Sequence, residues 1–116
     1  MDIMTKVECI LRPNKILEVK NALGQMGISG MTVTEVIGCG FQKGHPEELN
    51  WNTELNIHLL PKTKIEMVVP DHLVDPVINT IIHAARTGNV GDGKIFTYPI
   101  GNAVRIRTGD TGEKAI

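Results

Sequence analysis

The stretch Gly88-Asn89-Val90-Gly91-Asp92-Gly93-Lys94 puts three glycines and a lysine into seven residues. Main-chain N–H groups bared by glycine can converge on an anion, and the lysine adds a point charge. The spacing Gly-x-x-x-x-Gly-Lys is that of a phosphate-binding P-loop, yet two features exclude a P-loop proper. Ile95 stands where a Mg²⁺-holding hydroxyl belongs, and the flanking patterns read helix then strand, the reverse of the required order. What remains is an anion-binding turn or, equally, a tight helix-to-strand turn with a solvated lysine. A second feature, Val104-Arg105-Ile106-Arg107, spaces two arginines at i and i+2. On a strand they share a face. Two such cations repel unless an anion lies between them, and planar guanidinium forks suit phosphate oxygens. A solvated edge strand is the plainer alternative. Together the two features describe a polyphosphate site.

Other chemistry-bearing residues assemble into less. His45, His58, His72 and His83 have no metal-ligand spacing to one another or to a cysteine, and Cys9 and Cys39 are too few for a disulfide framework. Ser29 is the only serine, and Cys9 alternates into an apolar strand face, so no nucleophile with a matched base is apparent. Glu47-Glu48 reads as a solvated turn. Trp51, the sole tryptophan, stands among asparagines, where it either anchors a partner or folds back onto the protein.

The elements that must position these residues follow from periodicity. Thr5 to Arg12 alternates with Val7, Cys9 and Leu11 on one face, a first strand stopped by Pro13. Ile16, Val19, Leu23 and Met26 then recur at helical spacing, with Asn14 as expected cap and Gly27 as terminator. Met31 to Ile37 is a second strand, and Gly38-Cys39-Gly40 breaks the pattern. Residues from about 40 to 59 show no sustained period and form an expected mobile loop; structureless connections of that length are usually functional or disordered. Lys64 to Val69 is a third strand. A second helix carries Val74, Val77, Ile78, Ile81, Ile82 and Ala85, with Asp75 as the cleaner cap and Pro76 at its first position. Lys94 to Tyr98 is a fourth strand and Ala103 to Arg107 a short fifth. The tail, about 109–116, is polar and expected to be mobile.

The order βαββαβ, with two interleaved crossovers, predicts an α+β, ferredoxin-like sandwich with both helices on one face of an antiparallel sheet. The other face is left uncovered in a monomer, and oligomer formation would bury it. The chain's 116 residues make one domain, 1–116. A hydrophobic fraction of 41% and a charged fraction of 22% are those of a globular protein rather than a disordered chain. Twelve basic against thirteen acidic residues leave a net charge of −1, so no global field is available for nucleic acid or anionic membrane, and any anion site is local. No apolar run approaches the roughly 20 residues that span a bilayer, and no signal-peptide core is present. The expectation is a cytoplasmic protein with no direct membrane insertion.

With those residues in hand, the sequence resembles the PII signal-transduction family, the trimeric regulators of nitrogen metabolism. The stretches that carry the resemblance are 30–36, Gln42-Lys43-Gly44-His45, Leu60-Pro61-Lys62, Thr87 through Phe96, and Arg105-Ile106-Arg107-Thr108-Gly109. The resemblance implies a homotrimer with nucleotide sites between subunits, where ATP and ADP compete. Phosphates would meet Gly91, Asp92, Gly93 and Lys94, with Arg105 and Arg107 reaching across from the neighbouring subunit. Adenine and ribose would meet Ile10, Thr32, Glu66 and Val68, with Gly38 and Gly40 at the base of the loop. It further implies 2-oxoglutarate held through Mg²⁺ on the ATP phosphates and Gln42, with Lys62 on its carboxylate and Arg12 nearby. The mobile loop, including His45, Leu49, Trp51 and Leu55, would dock on an ammonium transporter or a nitrogen-metabolism enzyme or regulator.

Three departures bear on that expectation. Phe41 stands where the family carries a phosphate-contacting arginine, and a phenyl ring cannot neutralise a phosphate; the ATP-to-ADP preference is left open. Leu55 replaces the tyrosine that some members have uridylylated, and no serine lies in the loop. Asn50, Trp51 or Asn52 occupies the place of the arginine that some members insert into a channel. The reading is a non-enzymatic sensor that binds nucleotides and 2-oxoglutarate; the alternative is a slow ATPase or phosphotransferase at the same inter-subunit phosphate site.

Overall fold

A computed structural model of the chain describes residues 3–28, 30–41 and 57–116. Strand β1 (Met4–Leu11) leads through a 3-10 turn (Pro13–Lys15) into helix α1 (Ile16–Gln25). Strands β2 (Thr32–Phe41) and β3 (Ile57–Pro70) follow, then a 3-10 turn (Asp71–Leu73), helix α2 (Val74–Ala85) and strand β4 (Gly93–Ile100). The strands form one antiparallel sheet in the order β2-β3-β1-β4, the ferredoxin-like arrangement expected. Among the described residues no helix is long and apolar enough to cross a membrane.

The core follows the alternation read from the sequence. Val7, Cys9 and Leu11 of β1 and Ile65, Met67 and Val69 of β3 are buried against Val19 and Leu23 of α1 and Val77, Ile81 and Ala85 of α2. The opposite face of the sheet is charged: Lys6 lies 3.6 Å from Glu66, Lys64 3.1 Å from Glu66, and the Lys6 ammonium stands 4.6 Å above the Tyr98 ring. The Lys64 hydrogen bond holds the Glu66 carboxyl below its ordinary value, and the same contact raises Lys64. Val33 pairs with Ile65 and so lies on the helix-covered side, yet at the sheet edge it stays 52% exposed.

Several boundaries depart from expectation for identifiable reasons. Asn14 does not cap α1: Pro13 opens the helical segment directly and no side chain caps it. Gly27, at φ 92°, ends α1 as expected, with Ile28 N–H donating to Leu23 O and Gly27 N–H to Gly24 O. Asp75 does not cap α2 either; it lies inside the helix, and Pro76 falls in the first turn, whose N–H groups lack helical partners anyway. Asp71 opens that segment and accepts a 2.5 Å hydrogen bond from the Thr5 hydroxyl. Strand β2 does not stop at Gly38 but continues through Phe41, paired with residues 57–61 of β3 in a two-stranded ribbon that outruns β1. Pro61 fits because β1, which reaches only Thr63, places no strand on that side to need its N–H.

The fifth strand is absent. In its place Val104 forms a single bridge with Thr111, and the chain turns between them. Arg105 N–H donates to Asp110 O, Gly109 N–H to Arg105 O, and the Thr108 hydroxyl to the Asp110 carboxylate. Arg105 therefore precedes a turn and Arg107 lies within it, so the two do not share a strand face, and Ile106 is fully exposed between them. Residues 109–116 end in a 3-10 turn (Gly112–Ala115) tied to Ala103 O and the Asn102 side chain through Gly112 N–H.

Candidate functional site

The glycine turn between α2 and β4 is organised by Asp92. Its carboxylate accepts hydrogen bonds from the Thr87 hydroxyl, Thr87 N–H (2.8 Å) and Gly88 N–H (2.9 Å), and Arg12 Nε lies 3.3 Å away. The Thr87 hydrogen bonds, reinforced by Gly88 and Arg12, hold the carboxyl well below the usual carboxylate range. Both oxygens are thus engaged inside the turn. A phosphate arriving here would meet main-chain amides and Lys94, not a free carboxylate.

Two cations from other elements strap this turn. Arg12, just past β1, also donates from Nη2 to Val90 O at 2.8 Å. Lys62, on β3 at the root of the ribbon, donates from Nζ to Gly91 O at 2.6 Å. Gly38 of β2 leaves room for that reach, since a Cβ there would stand 3.1 Å from Lys62 Cγ. Gly93, at φ 115°, lies so close to β1 that an added Cβ would overlap the carbonyl oxygen of Ile10. The structure thus brings Arg12, Ile10, Gly38, Lys62, Gly91, Asp92, Gly93 and Lys94 to one end of the sheet. Thr87 and Val90 join them; the Thr-Gly followed by Asp of the turn was the available signal for the former, and nothing local marked the latter.

Thr32, Glu66 and Val68 lie further along the sheet, away from the glycine turn. Thr32 pairs with Glu66 and Lys6 with Val68. All four border a cleft of about 710 Å³ that also takes in Gly30, Met31 and Leu73, which sequence reasoning did not single out. Glu113 and Ile116 of the C-terminal segment form part of its wall. Gly93 and Ile100 mark opposite ends of β4, about 23 Å apart at the usual strand rise. Arg105 and Arg107 follow Ile100, past the end of β4 away from the glycine turn, and neither lines the cleft; Arg105 rests 3.7 Å from Asp110. Gly40 lies in β2. Gln42, His45, Leu49, Trp51 and Leu55 lie outside the described residues.

The pH response of the turn follows from Asp92. A carboxyl whose folded pKa is depressed adds stability that is complete above its unfolded value of about 3.9 and is lost as pH falls through the folded value. We expect Asp92→Asn to lower the thermal midpoint at pH 7, and the gap between the two proteins to close as pH drops below about 4. A gap independent of pH between 7 and 3 would show that the carboxylate does not hold the turn.

A family model described as nitrogen regulatory protein P-II matches residues 4–110. The chain is 52% identical over 113 residues to a nitrogen regulatory protein P-II from Haemophilus influenzae, covering 97% of this chain and 100% of that one. It is 55% identical, at the same coverage, to one from Rhodobacter capsulatus. Among solved structures, a B. subtilis GlnK–ATP complex superimposes with a TM-score of 0.83 at 38% identity, covering 100% of this chain and 99% of that one. A citrate-bound Arabidopsis thaliana PII gives 0.79 at 43% identity, covering 99% and 94%.

Proposed function

Since the chain belongs to the nitrogen regulatory protein P-II family, we propose that it is a cytoplasmic, non-enzymatic sensor that binds ATP or ADP between the subunits of a homotrimer and regulates nitrogen-metabolism targets. One observation carries the reading. The phosphate-suited turn, with Ile10 and Lys94, stands at the Gly93 end of β4, Thr32, Glu66 and Val68 lie further along the sheet, and the Arg105–Arg107 turn follows Ile100 at the other end of β4. In this reading the arginines of a chain do not close on its own glycine turn, from which the length of β4 separates them. Two copies, set so that the cleft end of one faces the turn end of the next, complete a site with base and ribose on one half and triphosphate on the other. The charged open face of the sheet is the surface available for that assembly, and an ATP-bound relative of the same fold supports the ligand class.

In this reading Glu66, kept ionised by Lys64, accepts a ribose hydroxyl. Glycine amides and Lys94 meet the phosphates, which Arg105 and Arg107 of the adjoining copy clamp from the far side. The strapping cations serve a second ligand. A dicarboxylate such as 2-oxoglutarate offers Lys62 and Arg12 a stronger acceptor than the main-chain carbonyls of Gly91 and Val90. Gln42, one residue beyond β2, carries an amide oxygen suited to Mg²⁺ held by the nucleotide phosphates. Release of Lys62 from Gly91 would then free the ribbon from the turn and alter the loop that meets ammonium transporters or nitrogen enzymes. Such a switch requires the ligands to bind the two arrangements unequally.

Calorimetry tests both ligands. ATP should bind the unmodified protein, and 2-oxoglutarate should bind only when Mg²⁺ and ATP are present. Gln42→Ala should abolish the second event and spare the first. Binding of 2-oxoglutarate to the nucleotide-free protein would overturn the Mg²⁺-dependent arrangement. A phosphate-release assay separates the sensor from the slow ATPase or phosphotransferase: sustained turnover of several per minute would favour the enzyme.

A further inference from the structure

We propose that the cleft between α2 and the β1–β4 edge binds a small organic acid with an unbranched apolar body, its carboxylate held at Arg86. This does not rest on the nucleotide reading, although the cleft abuts the same glycine turn. Two helices cannot roof four strands: α2 packs on β1, and β4 is left at the edge with Ile95 only half covered. The space between measures about 410 Å³, within the range of small-ligand sites. Its accessible walls are Ile78 and Ile82 of α2 and Ile95 of β4, above buried Leu11 and Cys9 of β1. Burial pushes the Cys9 thiol up to about 11, so it is a neutral, apolar lining at ordinary pH.

The rim is what selects the ligand's sign. Arg86, Lys94 and Asp92 border the cleft. The acid among them is consumed by Thr87, Gly88 and Arg12, and Lys94, paired with Ile10, turns its side chain to the open face of the sheet, whereas the described residues offer Arg86 no ion-pair partner. The carbonyl end of α2 disfavours an anion, which makes the arginine at its C-cap necessary for one to bind. An apolar slot with unspent positive charge at its mouth is complementary to a fatty carboxylate. At roughly 30 Å³ per heavy atom, the liquid share of one water, a ten-heavy-atom acid fits.

Octanoate is the probe, titrated calorimetrically into the full-length protein alongside hexanoate and octanol. Octanoate should bind, and hexanoate about 15-fold more weakly, since each buried methylene is worth about fourfold in affinity. Octanol, and octanoate on Arg86→Gln, should each lose about tenfold or more, the scale of a hydrogen bond to a charged partner. Ile82→Trp should fill the slot and abolish binding, with Ile78→Trp as a second filler if the first does not fold. ATP titrated into the same samples reports the nucleotide site separately. No octanoate binding at millimolar concentration overturns the proposal and leaves the cleft to a second copy of the chain or to residues 42–56. Binding indifferent to Arg86→Gln and to both fillers overturns it equally, as adventitious.

Discussion

Replacing Arg105 and Arg107 together by alanine should weaken ATP binding by at least 100-fold in calorimetry while leaving the circular dichroism spectrum and thermal midpoint near those of the unmodified protein. Hydrogen bonds to charged partners are worth about 1.5–3 kcal/mol each, and two lost together amount to roughly 3–6 kcal/mol, or about 10²–10⁴ in affinity. The fold should tolerate the change because both arginines lie at an exposed turn and the one ion pair described there, Arg105 to Asp110 at 3.7 Å, is a surface contact. The pair also discriminates between one-chain and two-chain sites. Co-assembled with a variant carrying a broken glycine turn, the arginine variant should regain part of its ATP binding, since mixed neighbours rebuild some intact sites. No recovery in verified mixed assemblies would refute a site shared between copies.

The broken turn is best made by Gly93→Ala. Its backbone occupies φ 115°, where residues other than glycine are strained, and the new Cβ would overlap the Ile10 carbonyl oxygen at the β1–β4 ladder. Strain alone costs about 1–3 kcal/mol. The overlap is with backbone paired into a sheet, which cannot rotate away as a side chain could, so the turn itself must move. We expect a destabilisation of about 2–4 kcal/mol in chemical denaturation and loss of ATP binding beyond detection. Gly88→Ala is the control: it shares a positive φ of 87° but points its Cβ into open space, so only the conformational cost of about 1–2 kcal/mol remains. Equal effects at the two positions would mean that contact with β1 does not set the turn.

How far the molecule could be read beforehand depended on whether a residue's neighbours in sequence were also its neighbours in space. β1 and the bodies of both helices were legible because each buries one face and exposes the other, which writes a clean period into the chain. The ribbon formed by the ends of β2 and β3 has no such asymmetry: Ile37 is 71% exposed and Leu59 68%, so no alternation marks it. Gly38 and Gly40, read as breakers, and Pro61 are tolerated because the ribbon leaves β1 behind and has open edges. The converse error occurred at 103–107, where alternating types imitated a strand although Thr108-Gly109-Asp110 carries the chemistry of a turn. The glycine turn was recognisable because its meaning is local. The strapping of that turn by Arg12 was not, because Arg12 lies 80 positions from Asp92 and only the β1–β4 pairing brings it alongside.

The ribbon also has a mechanical consequence. From Lys62 outward the two strands have no β1 beside them, so five residue steps to Ile57 make a free arm of about 16 Å. Pivoting such an arm by ten degrees at its root sweeps its tip by about 3 Å, far enough to exchange one set of hydrogen-bond partners for another. A single ammonium group changing its oxygen at the fulcrum could thereby be magnified into a displacement that a distant surface can feel.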